Sequence, residues 1–173
     1  VPAASEVYRI PGNEGLSDSE RRKRAELFYF PFRSALAGAV AAHAGRFGPP
    51  ALVTVHSFTP VYHGAPRAVE IGILHDDDAR LADAVLAEAG AHSGFVVRRN
   101  EPYGPQDGVT HTLREHALPR GLANVMIEIR NDLIASRESV NAMAGRLAVW
   151  LVSALKALGH AHAEREAASW ARR

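Results

Sequence analysis

The sequence predicts an α/β fold: a mostly parallel or mixed central sheet with helices on both faces, in a three-layer sandwich. Two observations lead there. Short apolar runs rich in β-branched residues, at 51–55, 69–74 and 124–129, alternate with longer segments of helical periodicity. Residues able to do chemistry recur where those runs end, at His56, His75, Asn100, Glu128 and Arg130. In such sheets ligands bind beyond the carboxyl ends of the strands. A chain of 173 residues, 47% hydrophobic and 23% charged, suits one domain with a sizeable core.

The elements follow in order. Residues 1–16 carry Pro2, Pro11, Gly12, Asn13 and Gly15 and read as an extended loop. Ser17 and Glu20 have the spacing of a capping box, which opens a helix to about Ala44. Leu27, Phe28, Leu36 and Val40 supply its apolar stripe, and Pro31 should kink it. The basic cluster Arg21-Arg22-Lys23-Arg24 follows acidic Asp18 and Glu20 and reads as a solvated face. Gly45, Gly48, Pro49 and Pro50 end the helix. The run 51–55 is a buried strand that delivers His56, and 69–74 is the next, ending at His75-Asp76-Asp77-Asp78. Consecutive residues seldom converge on one centre, so an aspartate here is expected to cap the helix that follows to about Ala89, with Leu81, Val85 and Leu86 facing inward. Residues 94–98 form another short strand. The segment 100–109, rich in Asn, Pro, Tyr, Gly and Asp, is an irregular loop long enough to suggest a functional role. Residues 110–117 form a helical turn and 124–129 a strand. Asp132 or Ser139 starts a last helix through Met143, Leu147, Trp150, Leu151 and Leu155. The tail 159–173 reads as a frayed helix or an expression remnant.

Composition excludes several functions. With no cysteine, there is no disulfide, thiolate metal site or cysteine nucleophile. A formal charge of +1 provides no basic surplus for nucleic acid. No apolar run approaches the roughly 20 residues of a membrane span. No signal peptide is visible, so a cytoplasmic location is expected. There is no Gly-rich phosphate loop, no G-x-S-x-G elbow and no H-E-x-x-H.

Among the candidates, His56 at a strand end can offer a neutral ring nitrogen to a divalent metal, or can be a core histidine bonded to a backbone carbonyl. Glu128, inside an apolar strand, sits where a carboxylate is costly unless paired. The local pattern leaves open a general base for water and a structural ion pair with Arg130. Arg130 also has the two-pronged geometry to grip a carboxylate. Asn100, Tyr103, Thr110, His111 and Thr112 cluster polar groups that could orient a substrate or form a capped surface loop. Ser57 adds a hydroxyl beside His56. His43, His92, His160 and His162 lie in helix ends or the tail and receive no role; His116 reads as a helix-end residue.

Taken together, these pieces resemble the N-formylglutamate amidohydrolase family. Ile10-Pro11-Gly12-Asn13 with Leu16-Ser17 looks like its segment before the first helix, and Val55-His56-Ser57-Phe58-Thr59-Pro60 like its central histidine motif. Glu70-Ile71-Gly72-Ile73-Leu74, ending in Asp76–Asp78, is similar to its next strand. Asn100-Glu101-Pro102-Tyr103, Thr110-His111-Thr112-Leu113 and His116 are similar to its substrate loop. Glu128-Ile129-Arg130-Asn131-Asp132-Leu133-Ile134 resembles its late strand and helix start. The ordered set covers nearly all of residues 7–155. The resemblance implies a phosphorylase/hydrolase-like sandwich akin to zinc carboxypeptidases and aspartoacylases, a bound Zn²⁺, and cleavage of a small N-acyl amino acid such as N-formylglutamate. It makes His56 a metal ligand, Glu128 the catalytic carboxylate and Arg130 a catalytic and substrate-orienting group. Ser57, Asn100, Tyr103, Thr110 and Thr112 would contact substrate. The family's other metal ligands lie in an earlier segment, with a His-Ala-Ser-like motif and an acidic residue; we expect it to precede Val1 in the full protein, the alternative being a metal-free remnant. Two alternatives stand beside this reading: a non-catalytic binder of small carboxylates on the same scaffold, and a metal amidase for a larger peptide or cell-wall substrate. The oligomeric state is not legible in the sequence.

Overall fold

The structure is a computed structural model that describes residues 2–160 except Glu6 and Ser93. The expectations for residues 161–173, His162 included, lie outside the described residues. In chain order the strands are β1 (Ala4–Ser5), β2 (Tyr8–Arg9), β3 (Leu52–Phe58), β4 (Val61–Tyr62), β5 (Ala65–Pro66), β6 (Ile71–Leu74), β7 (Val97–Arg99) and β8 (Asn124–Arg130). The α-helices are α1 (Asp18–Arg24), α2 (Phe30–Phe47), α3 (Arg80–His92), α4 (His111–His116) and α5 (Arg137–Ala157). Packing divides the described residues into two compact units, those of 2–50 with 61–65, and those of 51–60 with 66–160.

In the first unit the expected loop contains a small ladder, with Ala4 opposite Arg9 and Ser5 opposite Tyr8. The capping box forms as expected: Ser17 Oγ accepts from the Glu20 backbone, and Glu20 Oε2 accepts from Ser17 N at 2.8 Å. Arg24 departs from a purely solvated face, because its guanidinium donates to Asn13 Oδ1 and the Gly12 carbonyl. Pro31 does not break the helix. Its ring would collide with the carbonyl one turn earlier, and the chain absorbs this by inserting a π-helical turn, Ala25–Tyr29, in which Phe30 N bonds Ala25 O. The apolar stripe is not buried as expected: Leu27 and Phe28 are exposed, and Val40 is the one buried residue of α2.

The second unit is built on a four-stranded mixed sheet in the order β3-β8-β6-β7. β3 runs parallel to β8 and β7 parallel to β6, while β6 and β8 are antiparallel. Because side chains alternate along a strand, each face has its own set. Val53, Ile71, Ile73, Val125, Ile127 and Ile129 meet Leu81, Val85, Met143, Leu147, Trp150 and Ala154 of α3 and α5 in the main core. Apolar residues recur along both helices at three- and four-residue steps, which gives each one buried stripe. The opposite face carries a smaller cluster, Leu74, Met126 and Leu113 of α4, with Leu52, Tyr103 and Val109 against it. Asp78 caps α3 by accepting from Arg80 N at 3.1 Å, as expected. The start of α5 differs from either expected residue. Ser136 is its cap and pairs reciprocally with Ser139, while Asn131–Ile134 form a separate 3-10 turn. Among the described residues no helix is long and apolar enough to cross a membrane.

Candidate active site

The face opposite the main core holds the reactive groups. His56 on β3 is in register with Glu128 on β8, and Glu128 is in register with Gly72 on β6. Registered neighbours on a sheet share a face, so the imidazole and the carboxylate project from the same side of adjacent strands. They differ in environment. His56 is exposed and makes no hydrogen bond or ion pair among the described residues, so it is not the core histidine bonded to a carbonyl. Glu128 is only 3% exposed.

Burial and two neighbouring groups act on Glu128. Burial raises its pKa above the ordinary carboxylate value, because the charged form loses its water. The Tyr103 hydroxyl donates to Glu128 Oε2 at 3.2 Å and opposes that rise, as does the positive charge of Arg67. The Arg67 guanidinium lies 5.4 Å from the Phe58 ring centre and 5.6 Å from that of Tyr103, and it donates to the Thr59 carbonyl at 3.2 Å. The result is a buried, hydrogen-bonded carboxylate with an arginine beside it and an open imidazole on the next strand.

The other sequence-derived candidates fall in different places. Arg130 does not pair with Glu128. It donates to Asp132 at 2.8 Å, to Glu70 at 3.2 Å and to the Arg67 carbonyl at 3.2 Å. Its pKa is raised first by the Asp132 hydrogen bond, and the same bond lowers that of Asp132. Arg130→Ala is therefore expected to cost about 1–3 kcal/mol of stability, between the values for exposed and buried pairs; chemical denaturation checks this. Ser57 alternates with His56 and so points to the α3/α5 side of the sheet, away from Glu128. Asn100 is structural in its contacts: its Oδ1 accepts from His75 N at 2.9 Å and its own N–H bonds the Ile73 carbonyl at 3.1 Å. Thr110 is buried and donates to Asp76 Oδ2. Thr112 is half-buried on α4. His75, through its ring, contacts the Asp76 carbonyl and Arg99.

Sequence reasoning missed Arg67 and Gly72. A glycine inside a β-branched strand is a signal of close backbone approach. Arg67 carried no such signal, because its relation to Glu128 depends on how the loop before β6 returns.

The N-formylglutamate amidohydrolase family model matches residues 1–135. The chain belongs to the N-formylglutamate amidohydrolase family. It is similar to a gene product of Agrobacterium tumefaciens, at 54% identity and a TM-score of 0.87, covering 91% of this chain and 62% of that one. It is also similar in fold to an N-formylglutamate amidohydrolase from Ralstonia eutropha JMP134, at 22% identity and a TM-score of 0.54, covering 89% of this chain and 59% of the other. No curated protein matches. The chain thus spans about three fifths of the length of these solved relatives.

The family resemblance implies zinc, and the fit can be judged from the donors. Among the described residues no group of three or more His, Asp or Glu side chains could hold a metal ion. Catalytic zinc usually takes three protein ligands with a fourth position open. His56 alone does not satisfy it.

Proposed function

We propose that the full protein is an amidohydrolase that cleaves a small N-acyl amino acid of the N-formylglutamate kind. The observation that carries this reading is Glu128: a buried carboxylate, hydrogen-bonded by Tyr103, on the same face as an accessible imidazole one strand away. Family membership supports it.

In this reading Glu128 is the general base. It takes a proton from the water that adds to the formyl carbon, and it returns a proton to the leaving nitrogen as the C–N bond breaks. Formate and the free amino acid result. A rigid, desolvated carboxylate with a raised pKa is a better base than one in water. His56 is proposed as one ligand of a zinc ion. The described residues do not complete the site.

Arg67 is proposed to hold the substrate's carboxylate, with Arg130 bracing the same strand ends through Glu70 and the Arg67 carbonyl. A guanidinium packed against two aromatic rings keeps its orientation, and its charge already acts on Glu128. A charge-assisted hydrogen bond is worth about 1.5–3 kcal/mol. Arg67→Ala is therefore expected to raise KM for N-formylglutamate about 10- to 100-fold. Steady-state kinetics check this, and an unchanged KM would remove Arg67 from substrate binding. The activity itself is tested by formate release from N-formylglutamate by the full-length protein. One formate per amino acid released is expected. No release from folded, zinc-supplied protein would overturn the reading.

A further inference from the structure

Gly72 and Tyr103 are linked by the way the 100–104 loop lies on the sheet. Gly72 flanks Glu128 on the side away from His56. A Cβ at Gly72 would overlap the Glu101 carbonyl oxygen and come within 2.8 Å of Leu74 Cδ1. The loop backbone therefore rests directly on β6 at the one position where no side chain intervenes. Two residues later the Tyr103 hydroxyl reaches Glu128 Oε2.

The loop is anchored on both sides of that contact. Before it, Asn100 bonds the Ile73 carbonyl and the His75 N–H. After it, Gly104 N donates to Asp107 Oδ2 at 2.8 Å. The Tyr103 ring itself meets Phe58 edge-on, with centres 6.4 Å apart. Buried carboxylates need such partners, since one left without them has no fixed direction and carries the full cost of desolvation.

We propose that Tyr103 is a positioning residue for Glu128 and that Gly72 is the contact that lets it serve as one. This rests on the reading of Glu128 as the base. It assigns Tyr103 to the enzyme's own carboxylate in place of the substrate contact expected from sequence. Any substitution that lifts the loop off β6 withdraws the hydroxyl from Glu128, although neither Gly72 nor the loop backbone touches the reacting atoms.

The test uses full-length protein and N-formylglutamate. Tyr103→Phe keeps the ring and deletes only the donor, and is expected to lower kcat about 10-fold with KM within about twofold. Gly72→Ala is expected to lower kcat at least as much. The double variant should be no slower than Gly72→Ala alone, because both changes remove one interaction. A raised KM with unchanged kcat in Tyr103→Phe would make Tyr103 a substrate contact and overturn the proposal, as would multiplying effects in the double variant. Should Gly72→Ala not fold, Tyr103→Phe decides alone. Glu128→Gln separates the two levels: if it is inactive while Tyr103→Phe matches wild type, only the positioning role fails. If Glu128→Gln matches wild type, the functional reading falls and the positioning role with it.

Discussion

Glu128→Gln is expected to lower kcat about 100- to 10,000-fold, the range over which a positioned acid–base group contributes. It keeps the shape of the side chain and the acceptor for the Tyr103 hydroxyl, and removes only the ability to take a proton. KM should change little, because Arg67 remains in place. The same substitution should not destabilise the metal-free protein. Burial raises the pKa of Glu128 in the folded state above its unfolded value, about 4.3. The native state then binds the proton more tightly than the unfolded state, so stability falls as pH rises from the unfolded value through the raised one. Above the raised value that penalty is fully present in the wild type, and it is absent in Glu128→Gln. The variant should therefore melt at the same or a higher temperature at pH 7, and the difference should vanish below about pH 4. Wild-type turnover in the variant would remove Glu128 from the chemistry. A large drop in melting temperature would mean that its charge supports the fold.

His56→Ala is expected to have an effect of comparable size by a different route. His56 is exposed, and its ring makes no hydrogen bond or ion pair among the described residues, so the fold has little to lose. As a zinc ligand it would have much to lose. Removing an outer hydrogen-bond partner of a ligand costs roughly 10–100-fold in metal affinity, and removing the ligand itself should cost more. Zinc content of the dialysed full-length protein, measured beside its melting temperature, checks this. Zinc lost with folding intact is the expected outcome. Zinc retained at wild-type level would exclude His56 as a ligand.

Much of this site could be read from the residues. Val125 to Ile129 is a run too apolar to be an exposed strand, so a glutamate inside it had to be buried, and it is. The Ser17–Glu20 spacing located the start of α1 because a cap is a local device. Ser57 was misread as a substrate contact, although strict alternation along β3 places it on the face opposite His56. What could not be read depends on contacts far apart in sequence. Arg67 meets Tyr103 across 36 residues, and Glu70 takes a hydrogen bond from Arg130 across 60. No local pattern distinguishes the arginine that faces the carboxylate from the one held by its neighbours. The start of α5 was misplaced for a smaller reason: Ser136 and Ser139 both suit a cap, and only the backbone before them decides which is used.

A zinc-soaked crystal of the full-length protein, measured at the zinc absorption edge, tests the shared site most directly. If His56 is a zinc ligand, an anomalous peak is expected about 2.0–2.1 Å from one of its ring nitrogens; the pairing of β3 with β8 then puts that peak on the side of the sheet from which Glu128 projects. A peak bound elsewhere, with His56 and Glu128 facing apart, would contradict it.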